Sequence, residues 1–76
     1  MVNRNDAAEV GSRVEEACKV AGISLLELAD RTGIAYTTLH RKVKKDSGSF
    51  KVFELALIAL ELNVSIESLL AEKQVA

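Results

Sequence analysis

The run Ser24–Val43, SLLELADRTGIAYTTLHRKV, constrains this chain most, because its helical spacing is broken once, by a glycine, and then resumes. Ser24 stands three residues before Glu27. That is the spacing of a capping box, in which the serine hydroxyl accepts the Glu27 amide and the Glu27 side chain reaches back to the Ser24 N–H. Leu25 to Thr32 keep a helical spacing with Leu28 and Ala29 on one face. Gly33 follows, where a left-handed residue ends a helix at little cost. Ile34 is placed to plug the core, and Ala35 opens a second helix in which Leu39 and Val43, four apart, turn inward. Tyr36, Thr37, His40 and Arg41 then lie on its outer side. Ala29 is small where two steeply crossing helices must bring their backbones close. The run is therefore predicted to be a helix-turn-helix.

The flanking sequence supplies helices to complete a core. Asp6, followed by Glu9, is an N-cap candidate for a first helix carrying Ala7, Val10, Val14, Ala17, Cys18 and Ala21 on one face and ending at Gly22. Lys44 to Ser49 (KKDSGS) is a polar loop whose amides and two lysines can clasp a phosphate, with Phe50 anchoring its far end. A fourth helix is predicted over Val52–Leu62, closed by Asn63, and Ser65 caps a short fifth helix whose Ile66, Leu69 and Leu70 seal the core. The fourth helix is over-supplied with apolar residues. Val52, Leu55, Ala59 and Leu62 form one stripe facing the core. Phe53, Leu57 and Leu60 form a second, covered either by the fifth helix and tail or by a second copy of the chain. The expected architecture is all-α, a compact five-helix domain over residues 1–76, with a polar N-terminal arm at about 1–5 and a frayed tail at about 72–76.

At 76 residues the chain is one domain near the lower size limit for independent folding, without room for a separate sensor or catalytic domain. No stretch is long and apolar enough to span a membrane and the N-terminus lacks a signal-peptide core, so a cytoplasmic location is expected. Cys18 is read as reduced core filling. His40 has no metal-ligating neighbour at usable spacing, so no metal or other cofactor is implied. The net charge of −1 conceals a division along the chain. Arg31 to Lys51 holds six basic residues against Asp46 alone, giving +5, while the remainder carries four basic and ten acidic residues, giving −6. A positive face backed by a negative one attracts phosphates to one side.

At these residues the chain resembles the phage-repressor helix-turn-helix family, the Cro-like and xenobiotic-response-element-type domains, in the variant found in actinobacteria and their phages. The resemblance rests on Ile23 to Ala29 (ISLLELA), Gly33 to Ala35 (GIA), Thr38 to Lys42 (TLHRK), Phe50, Glu54, Leu55, Ile58, Ala59, and Leu62 to Leu70 (LNVSIESLL), and covers roughly residues 8 to 72. The chain departs from it at Leu25, where the family often has a phosphate-binding glutamine, at Ala35, where a capping serine is common, and at Val43, where many members have glutamate. The resemblance implies a repressor-like fold whose second motif helix enters the major groove of double-stranded DNA. It implies base reading by Ala35, Tyr36, Thr37, His40 and Arg41, of which Arg41 can bond guanine O6 and N7 together and Ala35 and Thr37 can offer methyl groups to thymine. Lys42, Lys44, Lys45 and Lys51, with the hydroxyls of Ser24, Thr38, Ser47 and Ser49, become the phosphate contacts, and Arg4 on the arm is a further candidate for a groove or backbone. Two-fold dimers of the family place two such helices one helical turn apart on an inverted repeat, with Phe53, Leu57 and Leu60 as the dimer patch here.

The implied activity is that of a Cro-like repressor of a phage or mobile element, acting by occupying an operator, with no small-molecule ligand expected. Excision factors and antitoxins use the same fold and stand as alternatives. So does a protein-binding adaptor that has lost DNA affinity, which Leu25 and the net negative charge favour and the polar residues at Tyr36, Thr37, Arg41, Lys44 and Lys45 disfavour. An enzyme is not expected, because no nucleophile and base stand at usable spacing and no phosphate-cradling glycine loop is present.

Overall fold

Residues 5–70 are described by the computed structural model, with side chains from Val10 onward, and over that range the chain is helical with no strand. Helix α1 spans Asn5–Ala21, α2 Leu25–Thr32, α3 Tyr36–Lys44, α4 Val52–Leu62 and α5 Ile66–Leu69, with a 3₁₀ turn at Ser47–Ser49 between α3 and α4. The N-terminal arm with Arg4, the side chains of Asp6, Ala7 and Glu9, and the tail from Glu72 lie outside the described residues.

Each helix sends one completely buried side chain to the centre: Val14 from α1, Leu28 from α2, Leu39 from α3, Ile58 from α4 and Leu69 from α5. Burying each such side chain contributes about 1.5–3 kcal/mol, so a chain this short can hold a defined core only if every helix takes part. Cys18 is buried in the same cluster, and burial pushes its thiol pKa above the ordinary value, with the Glu15 charge adding to the effect. Leu25 and Ile34 pack half-buried against it, which gives Leu25 a core role at the position where a phosphate-binding glutamine is common.

The helix ends follow the sequence with local corrections. Ser24 Oγ accepts the Glu27 amide at 3.0 Å, but the Glu27 carboxylate turns away from the Ser24 N–H to bond Arg31 at 2.8 Å, so only half of the expected capping box forms. Gly33 and Asn63 adopt φ of 82° and 59°, the left-handed values that end α2 and α4. Ala35 is the residue before α3, not its first residue, and provides no side-chain cap. Ala21 is exposed, because the chain turns at Gly22, where the Cys18 carbonyl accepts the Ile23 N–H at 3.0 Å, and Ile23 packs on the core in its stead.

In α4 the buried arc is Glu54, Leu55, Ile58, Ala59 and Leu62, and Val52, expected on it, is 75% exposed. At about 100° per residue, Val52 falls beyond the edge of that arc and joins Phe53, Ala56, Leu57 and Leu60 on the solvent side. Helix α5 packs against α1 and the inner side of α4, leaving the second stripe exposed.

Two contacts set the position of α3. Gly11 lies where α1 crosses α3: a Cβ there would overlap the Val43 carbonyl oxygen and lie 2.5 Å from Ser47 Oγ, while the Gly11 N–H donates to that Oγ at 3.0 Å. The second is a buried ion pair. Lys42 Nζ donates to Glu54 Oε1 at 2.7 Å, the side chains are 7% and 9% exposed, and the same oxygen accepts the Lys51 N–H at 2.8 Å. The Phe50 ring lies 6.0 Å from Nζ. Burial pushes the Glu54 pKa up, but the hydrogen bonds from Lys42 and the Lys51 amide and the neighbouring positive charges outweigh it and hold the carboxyl below its usual 4.5.

Two outcomes follow. Gly11→Ala gains about 1 kcal/mol of helix propensity but drives a methyl into backbone that cannot swing aside, so thermal unfolding should show a net loss of about 2 kcal/mol, roughly 10 °C in Tm; an unchanged or higher Tm would contradict so close a crossing. Because its folded pKa is depressed, Glu54 adds stability that is full above pH 4.5 and lost as pH falls below it. Denaturant titrations should show wild type losing stability on acidification in that window. Glu54→Gln should be about 3 kcal/mol less stable at pH 7, with the Lys42 charge left buried, and should lack that part of the acid dependence.

Candidate nucleic-acid interface

With Leu39, Lys42 and Val43 turned into the protein, the opposite side of α3 is free. Tyr36, Thr37, His40 and Arg41 are all exposed along it, preceded by exposed Ala35, and Thr38 is half-buried at its edge. The Tyr36 and His40 rings lie 5.6 Å apart in a tilted contact, so the first two turns present a paired aromatic surface with hydroxyl and imidazole at its rim. Since Ala35 offers no cap, the first-turn amides of α3 have no side-chain acceptor among the described residues, as suits a helix end that approaches a phosphate.

The basic residues behave less uniformly than their spacing implies. Lys42 is removed from the phosphate set: it is buried and its ammonium is held by Glu54, because position 42 falls on the inner side of α3 between Leu39 and Val43. Ser47 is removed as well, since its Oγ accepts the Gly11 N–H and donates to the Lys42 carbonyl at 3.2 Å. The Ser49 hydroxyl donates to the Asp46 carbonyl at 2.9 Å and the Ser24 oxygen serves as the α2 cap, so the loop builds itself before it can clasp a phosphate. Exposed Lys44 pairs with Glu15 of α1, exposed Arg31 with Glu27, and Arg41 Nη1 with Asp46 Oδ2 at 2.9 Å. Within the basic segment Lys45 and Lys51 are exposed and form no ion pair among the described residues. Exposed pairs in water are weak, so Arg31 and Lys44 can exchange carboxylate for phosphate at small cost.

Several residues that shape this surface were given no role from sequence. Glu54 had a signal: a carboxylate on the Leu55–Ile58–Leu62 arc of α4 requires a buried partner. Gly11 had one too, as a glycine inside an amphipathic helix that costs about 1 kcal/mol unless close packing demands it. Asp46, the one acid in the basic segment, was countable but its contact with Arg41 spans five residues past a helix end, outside any helical spacing rule. The pairing of Glu15 with Lys44 is long-range and left no sequence signal.

An open groove of about 600 Å³ runs along the outer side of α2 to Tyr36, lined among others by Leu26, Glu27, Asp30 and Ile34. Among the described residues no three metal-capable side chains come together, and no helix is long and apolar enough to cross a membrane.

Two short helices joined at Gly33, the second held in a five-helix core and exposing a polar outer side beside cationic residues, define a helix-turn-helix DNA-binding domain. The family model of the bacteriophage CI repressor helix-turn-helix domain matches residues 12–75, and the chain belongs to that family. It is a DNA-binding transcription regulator of the phage-repressor type. Comparison with curated proteins and with solved structures gave no match.

The division between exposed and buried lysines has a direct readout. Lys45→Ala should weaken binding to any duplex and reduce the slope of log K against log salt by about 1, whereas replacing Lys42 and Glu54 together by Met and Leu should leave the slope as in wild type. A slope that falls in the double variant would return Lys42 to the interface.

Proposed function

We propose that the protein is a Cro-like repressor that occupies operator DNA with α3 in the major groove and blocks polymerase access. The observation that carries this reading is the division of α3 itself: one side is locked into the core through Leu39, Lys42 and Val43, and the other presents Tyr36, Thr37, His40 and Arg41 to solvent. A helix held on one side and chemically varied on the other is suited to reading base edges, where donor and acceptor positions distinguish all four base pairs. Arg41 is the guanine reader. Thr37 and Ala35 face thymine methyls, Tyr36 and His40 meet base or backbone, and Lys44, Lys45 and Lys51 neutralise phosphates together with the α3 N-terminus, with Ser24, Thr38 and Ser49 at the margin.

Val52, Phe53, Ala56, Leu57 and Leu60 form a continuous exposed apolar side of α4, with Val52 and Leu60 each 75% exposed. In this reading a second copy covers it, making a two-fold dimer that matches an approximate inverted repeat. Residues 1–76 act as one DNA-binding domain in the cytoplasm, and control comes from protein concentration and from competition for shared sites.

Selection of bound sites from random duplexes, with the mass of the winning complex recorded, tests the reading. An inverted repeat bound by two chains is expected, and Arg41→Ala should relax preference at one base position per half-site, a loss of about 1–3 kcal/mol of discrimination, while leaving affinity for random duplex nearly intact. A half-site bound by one chain would remove the dimer. No enrichment at all would overturn sequence reading and favour the adaptor.

A further inference from the structure

Asp46 is the one acidic residue between Arg31 and Lys51, and its carboxylate lies on the residue assigned to guanine. Arg41 Nη1 donates to Asp46 Oδ2 at 2.9 Å, with both side chains 51% exposed. The backbone beneath that carboxylate is unusually well fixed for a loop. The Asp46 N–H donates to the Arg41 carbonyl at 3.0 Å, and the Asp46 carbonyl accepts both the Ser49 N–H at 3.0 Å and the Ser49 hydroxyl at 2.9 Å. The next residue, Ser47, is tied to α1 through Gly11 and to α3 through the Lys42 carbonyl. The hydroxyls of this loop are thus spent on holding Asp46 in place relative to α3.

We propose that Asp46 is a specificity-determining positioning residue for Arg41, an assignment that rests on the reading of Arg41 as the base contact. A guanidinium carries five N–H donors in a planar fork, and Asp46 engages one nitrogen of it. Nε and Nη2 remain free along the opposite edge, enough to meet guanine O6 and N7 together. The carboxylate also offsets the Arg41 charge toward phosphates. Charge-driven binding to any duplex therefore gains little from Arg41, while hydrogen bonding to a base edge keeps its geometry. The arrangement lowers affinity for wrong sites and restricts the rotamers of a long side chain that would otherwise sample the groove widely.

Asp46→Asn keeps the size of the side chain and removes its charge. Affinities are measured for the selected duplex, for the same duplex changed at the Arg41 base pair, and for a random duplex at two salt concentrations, in wild type, Asp46→Asn, Arg41→Ala and the double variant. Asp46→Asn should bind random duplex about threefold or more tightly with a salt slope steeper by up to about 1, and should lose roughly fivefold in discrimination at that base pair. In the Arg41→Ala background it should leave discrimination unchanged, and its Tm should stay within a few degrees of the parent. Unchanged discrimination in Asp46→Asn, with discrimination lost in Arg41→Ala, overturns the role of Asp46 alone. An equal loss with and without Arg41 overturns it in favour of a general effect on the loop. If Arg41→Ala itself leaves discrimination intact, the base contact falls and the positioning role falls with it.

Discussion

The Lys42–Glu54 ion pair is the contact on which the rest of the arrangement depends, because it joins the helix that presents the DNA-facing surface to the helix that completes the core. Lys42 stands on the inner side of α3 and Glu54 on the first turn of α4, and their side chains meet at 2.7 Å with almost no solvent. Glu54 serves a second purpose by accepting the Lys51 N–H, which caps α4. A buried pair of this kind contributes little net stability against an apolar replacement, but a single mismatched partner is costly. Its effect is therefore to fix which way round α3 sits. With Lys42 inward, Arg41, across the helix from the inner arc, must point out.

Helix α1 holds α3 from another side. Gly11 lets the α1 backbone approach the Val43 carbonyl, and the Gly11 N–H reaches the Ser47 hydroxyl in the 3₁₀ turn. Helix α3 is thus gripped from α1, from α4 and from its own trailing loop, while its outer side makes no contact that would need to be given up on binding apart from exposed ion pairs. A rigid helix loses little conformational entropy when it enters a groove. The cations around it are mostly partnered by carboxylates, so the surface is positive without being indiscriminate.

Most of the fold was legible because it follows from local rules. Gly33, Ser24, Asn63 and Ser65 mark helix ends by chemistry that acts over a few residues, and the four-residue spacing of Val10, Val14 and Cys18 in α1 and of Leu39 and Val43 in α3 identifies inward faces. The failures share a physical cause. Lys42 reads as one more member of a basic cluster until a partner twelve residues away on another helix is in place, and Ser47 and Ser49 read as loop hydroxyls until the loop closes on itself. Val52 and Ala21 each sit at a helix terminus, where the chain changes direction and a stripe drawn by spacing alone runs one residue too far. The outer side of α3 was legible because exposure there needs only that the inner side be apolar.

Chemical-shift mapping of ¹⁵N-labelled protein against the selected duplex addresses the central claim, that the outer side of α3 is the surface that meets DNA. The account predicts that the amides of Ala35, Tyr36, Thr37, His40, Arg41 and Lys45 shift on titration in a salt-dependent way, while those of Val43 on the inner arc and of Glu54 keep their positions. Shifts centred on the apolar side of α4, or spread over α1 with α3 unchanged, would contradict it.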